Sequence, residues 1–210
     1  MSVDRLSVLA HEIRSPVAAL AAIAEAFPSA DTAYRRRLLQ LARAAARNVQ
    51  RLVVDASVSS VRVEPLDVGG IARDAAEAAA LGGAAVRADV AAGLPLVDGD
   101  PERLRQALDN LIGNAVGHSP AGAEVLVTAR SGDGIVLLAV ADRGEGIPEG
   151  GLELVFEPGV RLTDDRPGSG LGLAIVRAIA AAHGGAVEVE STPGQGATFT
   201  LVLPASGATA

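Results

Sequence analysis

Four short clusters in this sequence hold side chains able to do chemistry, and each also has a bland alternative. In Leu9-Ala10-His11-Glu12-Ile13-Arg14-Ser15-Pro16, His11 lies two residues from each of the apolar Leu9 and Ile13. At 100° per residue it points away from the seam those two define. A neutral imidazole nitrogen is a competent nucleophile near neutral pH, and Glu12 beside it supplies a carboxylate able to take the ring proton. Read alone, the same pattern describes a solvated histidine on a polar helix face. Pro16, five residues on, removes a backbone hydrogen bond just past the His and would loosen the helix there.

The second cluster is Leu108-Asp109-Asn110-Leu111-Ile112-Gly113-Asn114-Ala115, where Asn110 and Asn114 share one helical face. Either this is an ordinary polar face or an amide oxygen ligates Mg²⁺, which takes few protein oxygens and completes its shell with phosphate and water. The third, Asp142-Arg143-Gly144-Glu145-Gly146, follows the apolar run Ile135–Ala141. It reads as a plain turn, or as a site where Asp142 accepts from an adenine amino group and Gly144 and Gly146 admit the base against the backbone. The fourth is Gly168-Ser169-Gly170-Leu171-Gly172-Leu173, at the start of a helical pattern. Free N–H groups at a helix start suit a phosphate. No clear strand immediately precedes this cluster, so it is not a dinucleotide-binding fingerprint.

The elements that must position these clusters fall into two textures. In the first, Leu6, Leu9, Ile13, Leu20, Ile23 and Phe27 follow an alternating three/four spacing, with Pro16 in the one slot that lacks a large apolar residue. After the break at Phe27-Pro28-Ser29-Ala30-Asp31-Thr32, either Asp31 or Thr32 can cap a second helix. There Leu38, Ala45, Val49, Leu52 and Ala56 repeat the pattern. Two such helices make a hairpin whose seam is best buried by a second copy, as a four-helix bundle.

From residue 61 onward the periodicity changes. Strands are expected at Arg62–Leu66, Ala84–Val90, Leu96–Val97, Glu124–Ala129, Ile135–Ala141, Val187–Glu190 and Ala197–Leu203. Helices are expected at Val68–Leu81, from Pro101 to about Gly117 behind an Asp100 cap, and at Leu171–His183. Turns are expected at Ser131-Gly132-Asp133-Gly134 and Pro193-Gly194-Gln195-Gly196. The mixture lacks a regular βαβ alternation, which predicts an α/β two-layer sandwich with a mixed sheet. The whole is an α+β chain of two parts, 1–61 and 62–210.

Composition narrows the functional classes. Of the 210 residues 49% are hydrophobic but only 2% aromatic, which favours helix packing and thin α/β layers over an aromatic-rich β-sandwich. A net charge of −7 argues against general nucleic-acid binding, which needs a basic face. No cysteine means no disulfide, no thiolate zinc site and no Cys nucleophile. Every basic residue is Arg, which excludes a Walker A loop and a lysine Schiff base. Apolar runs such as Val17–Ala24 fall well below the ~18 residues of a membrane span. No secretory signal pattern opens the chain. A cytoplasmic protein is expected.

Taken together and in this order, the four clusters resemble the catalytic core of a sensor histidine kinase of two-component systems, over essentially the whole chain. They match that family's H box, N box, first glycine box and second glycine box in turn. Val155-Phe156-Glu157-Pro158 is similar to its F box, and Gly194–Thr198 to its closing glycine/threonine motif. The resemblance implies a dimerisation and histidine-phosphotransfer hairpin (1–61), homodimeric, followed by a Bergerat-type ATP-binding domain (62–210). His11 would accept the phosphoryl group, with Glu12 as its base. Asn114 would ligate Mg²⁺ beside Asn110. Asp142, Gly144 and Gly146 would belong to the adenine side of an ATP site, with Gly170 and Gly172 on its phosphate side, and Thr198 would also bind ATP. The partner would be the receiver domain of a response regulator.

The sequence departs from the family pattern in several places. Gly117 stands where the N box often has Lys, which leaves Arg161 and Arg166 as candidate phosphate charges. Gly159-Val160 replaces an aromatic after the F box, the lid Glu157–Ser169 is short, and Ser15 stands where Thr or Asn commonly serves dephosphorylation. Only ten residues precede His11, so the chain is expected to be a piece of a longer kinase or one without a sensor. Two alternatives follow: an ATP-binding scaffold or phosphatase-biased regulator without autokinase activity, and a serine-kinase anti-sigma factor, against which the His11–Glu12 hairpin speaks.

Overall fold

The computed structural model describes residues 3–58, 62–162 and 169–207, with the side chains of 3–12, 29 and 57 left aside. The chain divides into two compact units, Met1–Ser60 and Val61–Ala210.

The first unit is a helical hairpin. Helix α1 (Val3–Ala26) runs unbroken through Pro16, a 3₁₀ turn follows at Phe27–Ser29, and α2 spans Thr32–Val58. Asp31 is the residue that caps α2, its Oδ1 accepting from the Tyr34 N–H at 2.7 Å. Arg35 closes the connection by donating to the Pro28 carbonyl at 3.1 Å and lying 5.6 Å over the Phe27 ring. Among the described residues Pro16, Ala30, Leu38 and Val54 are buried, while Ile13, Leu20, Ile23, Val49 and Leu52 are half-buried. The expected slackening at Pro16 is thus not a break in the helix, and the slot is filled by the proline ring itself. Val54 lies off the expected heptad yet is more buried than Leu52.

In the second unit a two-stranded antiparallel sheet pairs β1 (Glu64–Leu66) with β3 (Val97–Gly99). The five-stranded sheet contains β2 (Val86–Val90), β4 (Val125–Gly132), β5 (Ile135–Ala141), β6 (Ala186–Thr192) and β7 (Gly196–Pro204), in the order β2-β4-β5-β7-β6. Only β2 and β4 run parallel, so the sheet is mixed. Helices α3 (Val68–Leu81), α4 (Pro101–His118) and α5 (Gly172–Ala182) pack against it and against one another. Alternation decides which face they cover. Val125, Val127, Ala129, Val136, Leu138, Val140, Phe199, Leu201 and Leu203 are buried, while the residues between them are half-exposed.

Most expected elements recur with shifts of a residue or two at their ends. The β4–β5 turn is tighter than expected: the strands reach Gly132 and resume at Ile135. Asp133 (φ 51°) and Gly134 (φ 76°) then form a two-residue turn of the kind that suits strand twist. Strand β3 sits at Val97–Gly99 rather than Leu96–Val97, because its partner in register is the buried Leu66 opposite Val97.

Candidate functional site

Strand β5 ends at Ala141 and delivers Asp142 to the rim of the sheet, where the residue is only 9% exposed. Its Oδ1 accepts from the backbone N–H of Gly144 (2.8 Å) and of Ala197 (3.2 Å), and its own N–H donates to the Ala197 carbonyl (2.9 Å). Both side-chain bonds fall on one oxygen, which leaves Oδ2 for a donor from outside. Asp142 lines an open cleft together with Ser191, Thr192, Gln195 and Thr198. Thr198 sits directly opposite Ala141 in the β5–β7 register.

The glycine loop after Asp142 is pressed against its surroundings. Gly146 has φ 70°, and a Cβ there would run into the Thr192 carbonyl. A Cβ at Gly144 would strike the His118 carbonyl at the end of α4. Ser191 Oγ accepts from the Ile147 N–H (2.8 Å) and donates to the Gly196 carbonyl (2.7 Å), so the loop is stitched to the β6–β7 turn.

On α4, Asn110 and Asn114 are both half-buried. Asn110 Nδ2 donates to the Gly172 carbonyl at 3.4 Å, which brings the second cluster to the start of α5. Asn114 makes no side-chain hydrogen bond among the described residues. Gly170 has φ 68° and packs on Gly159, whose N–H donates to the Gly170 carbonyl at 2.9 Å. The loop between them is thereby closed at its neck; residues 163–168, with Arg166 and Gly168, lie outside the described residues. Gly172 differs, since a Cβ there meets Asn110 only at an ordinary 3.8 Å. The structure therefore brings Asn110 to Gly172 and Asp142 to Thr198. His11 and Glu12 lie on α1, and their side chains are outside the described residues. Ser15 is exposed.

Two contacts escaped the sequence reading. His118 Nδ1 lies 3.2 Å from Glu145 Oε1, joining the end of α4 to the glycine loop. Arg177 Nη2 pairs with Glu157 at 2.9 Å, joining α5 to the segment before the loop. A charge pattern hints at neither, because the partners are 27 and 20 residues apart.

A magnesium ion is a fair test of the α4 face. No cluster of three His, Cys, Asp or Glu residues suited to a metal occurs among the described residues. The face offers instead a single unpartnered amide at Asn114. That donor set fits an ion held mainly by phosphate oxygens and water, and does not fit a metal caged by protein.

Comparison with known proteins decides the family. The profile described as "Histidine kinase-, DNA gyrase B-, and HSP90-like ATPase" matches residues 99–207, more than half of the chain. The chain belongs to that family. Among its relatives, the sensor protein DivL of Caulobacter vibrioides is 34% identical across 96% of this chain and 28% of its own length. A mycobacterial sensor histidine kinase, MprB, is 34% identical with a TM-score of 0.61, over 69% of this chain and 98% of the solved one. Full-length ShkA in complex with AMPPNP is 33% identical with a TM-score of 0.68, over 100% of this chain and 47% of that one. The chain is thus a sensor histidine kinase catalytic core, with the α+β fold of that family's ATPase domains. It spans about half the length, or less, of the curated relatives it matches. No helix among the described residues is long and apolar enough to cross a membrane.

Proposed function

We propose that this histidine kinase core binds Mg²⁺-ATP in residues 62–210, transfers the γ-phosphoryl group to His11 and passes it on to an aspartate of a response-regulator receiver domain. The observation that carries the reading is Asp142. It is a buried carboxylate with one oxygen taken by the Gly144 and Ala197 N–H groups and the other left to the cleft that Thr198 lines. Such an acceptor suits an exocyclic amino group of adenine, and Gly144 and Gly146 hold the loop low enough for the base to reach it. Asn114 would offer its amide oxygen to Mg²⁺, beside Asn110, and the ion would neutralise charge on the transferring phosphoryl group. The N–H groups between Gly170 and Gly172 would meet the phosphates at the start of α5.

At the hairpin, one imidazole nitrogen of His11 attacks phosphorus as the bond to the bridging β–γ oxygen breaks and ADP departs. Glu12 takes the proton from the other ring nitrogen, so the phosphohistidine leaves the step uncharged on the ring. Pairing of two hairpins through residues 1–61 would cover the half-buried Leu20, Ile23 and Leu52. The family's chemistry would place the reaction in the cytoplasm.

Incubation with γ-labelled ATP tests the proposal. The full chain should acquire an acid-labile, alkali-stable label, and His11→Gln should abolish it. Glu12→Gln should slow labelling by roughly 10²–10⁴, the range for loss of a general base, with nucleotide affinity unchanged. Labelling of His11→Gln at the wild-type rate would refute the assignment. Gly117 favours the second reading, a nucleotide-binding scaffold, because it brings no charge to the end of α4 and borders open space. That reading expects ADP binding with no label at all.

A further inference from the structure

Two buried polar side chains take no part in the chemistry above: Asp100 and His183, 8% and 7% exposed. The Asp100 N–H donates to His183 Nε2 at 2.9 Å, so the ring proton sits on Nδ1, which donates to the Ile179 carbonyl at 2.7 Å. The Asp100 carboxylate caps α4 through Oδ1, taking the N–H groups of Glu102 (3.0 Å) and Arg103 (3.2 Å). Its Oδ2 takes the Arg62 N–H at 2.9 Å. The preceding residue must be small, since a Cβ at Gly99 would stand 2.5 Å from His183 Cδ2. One junction therefore joins the start of α4 to the end of α5.

The start of α5 meets the middle of α4 at the candidate site. Eleven residues separate His183 from Gly172, about 16 Å of helix, and ten separate Asp100 from Asn110, about 15 Å. Asn110 then donates to the Gly172 carbonyl. The 11-residue α5 is thus tied at both its ends to the first ten residues of the 18-residue, antiparallel α4. At 3.4 Å the Asn110 tie is at the outer limit of a hydrogen bond and cannot hold the register alone. The buried 2.9 Å bond from the Asp100 N–H to His183 Nε2 can, because the ring is itself held on α5 by its 2.7 Å bond to the Ile179 carbonyl.

We propose that Asp100 and His183 are positioning residues, whose buried junction sets the axial register of α5 against α4 and so places Gly172 opposite Asn110. The proposal rests on the reading of that face as the phosphate side of a nucleotide site. Its test uses the full chain. His183→Leu keeps bulk but removes donor and acceptor; His183→Gln retains an oxygen for the Asp100 N–H. ADP affinity is measured by calorimetry where circular dichroism shows each variant folded. The Gly172 amide and Asn110 side-chain amide resonances are followed without nucleotide.

His183→Leu should weaken ADP at least tenfold and move both resonances, and His183→Gln should restore most of both. ADP affinity within twofold of wild type, with shifts confined to Gly99, Asp100 and the end of α5, would overturn the proposal. If His183→Leu does not fold, His183→Gln decides alone: near-wild-type resonances support the register role and displaced ones refute it. If the wild-type chain binds no ADP, the nucleotide reading falls, while the unliganded resonances still decide the register.

Discussion

The hairpin and the sandwich draw on the same Ala-, Leu- and Val-rich vocabulary, yet they bury it to different degrees. In the sandwich Leu104, Leu108, Leu111, Leu138, Leu201 and Leu203 are wholly enclosed. In the hairpin the most buried leucine, among the described residues, is Leu38, while Leu39 and Leu41 remain 46% and 51% exposed. The reason is architectural. A sheet with a helical layer surrounds each apolar side chain from both sides, whereas two helices enclose only the stripe between them. The sandwich can thus be stable by itself, and the hairpin leaves a half-buried seam that a second copy would complete.

The comparison breaks first, and by the largest effect, through separation of the parts. A fragment covering 62–210 should be folded, monomeric and able to bind ADP, while the full chain should be dimeric by light scattering. Leu20→Asp, which puts a charge into the seam, should reduce the full chain to a monomer, because an unpaired buried charge costs more than the seam returns. A fragment that dimerises as tightly as the whole chain would move the interface out of the hairpin.

What could be read from the sequence was what neighbouring residues decide. The apolar run Ile135–Ala141, bounded by turn residues, read as a strand and is one. Asp100-Pro101-Glu102 announced a helix start, and the side chain of Asp100 does cap it. Contacts between distant residues were not legible. Val54 is buried although it lies off the heptad that the sequence shows. His183 read as the end of a helix, because its partner Asp100 lies 83 residues away. The clusters around Asn110 and Gly172 were noticed separately, 62 residues apart, and only the α4–α5 packing brings them to one place.

A smaller effect sharpens the comparison inside the sandwich. Asp142→Ala should weaken ATP and ADP alike, by about 1.5–3 kcal/mol for a lost hydrogen bond to a charged group. Asn114→Ala should weaken nucleotide binding mainly when Mg²⁺ is present. Calorimetry with and without the ion separates the two, and equal losses from Asn114→Ala in both conditions would remove it from the metal shell. Neither change should alter the dimer, since both residues belong to the sandwich.

The smallest effect concerns acid stability, and it also belongs to the sandwich. Burial pushes the Asp100 carboxyl toward a higher pKa. The N–H groups of Arg62, Arg103 and Glu102, with the Arg103 charge, more than offset this and hold it below the ordinary aspartate value. A group with a depressed folded pKa contributes its full stability above the unfolded value, and that contribution is lost as pH falls through the folded one. Below the usual aspartate range, then, the wild-type 62–210 fragment should lose stability that an uncharged variant never had. In Asp100→Asn the amide oxygen would stay with the Glu102 and Arg103 donors, and its NH₂ would face the Arg62 N–H. The expected cost near neutral pH is on the order of 1 kcal/mol, shrinking as the solution is acidified. Urea titrations of both proteins across the acid range measure this directly. Parallel curves at every pH would mean that the Asp100 charge adds nothing to its hydrogen bonds.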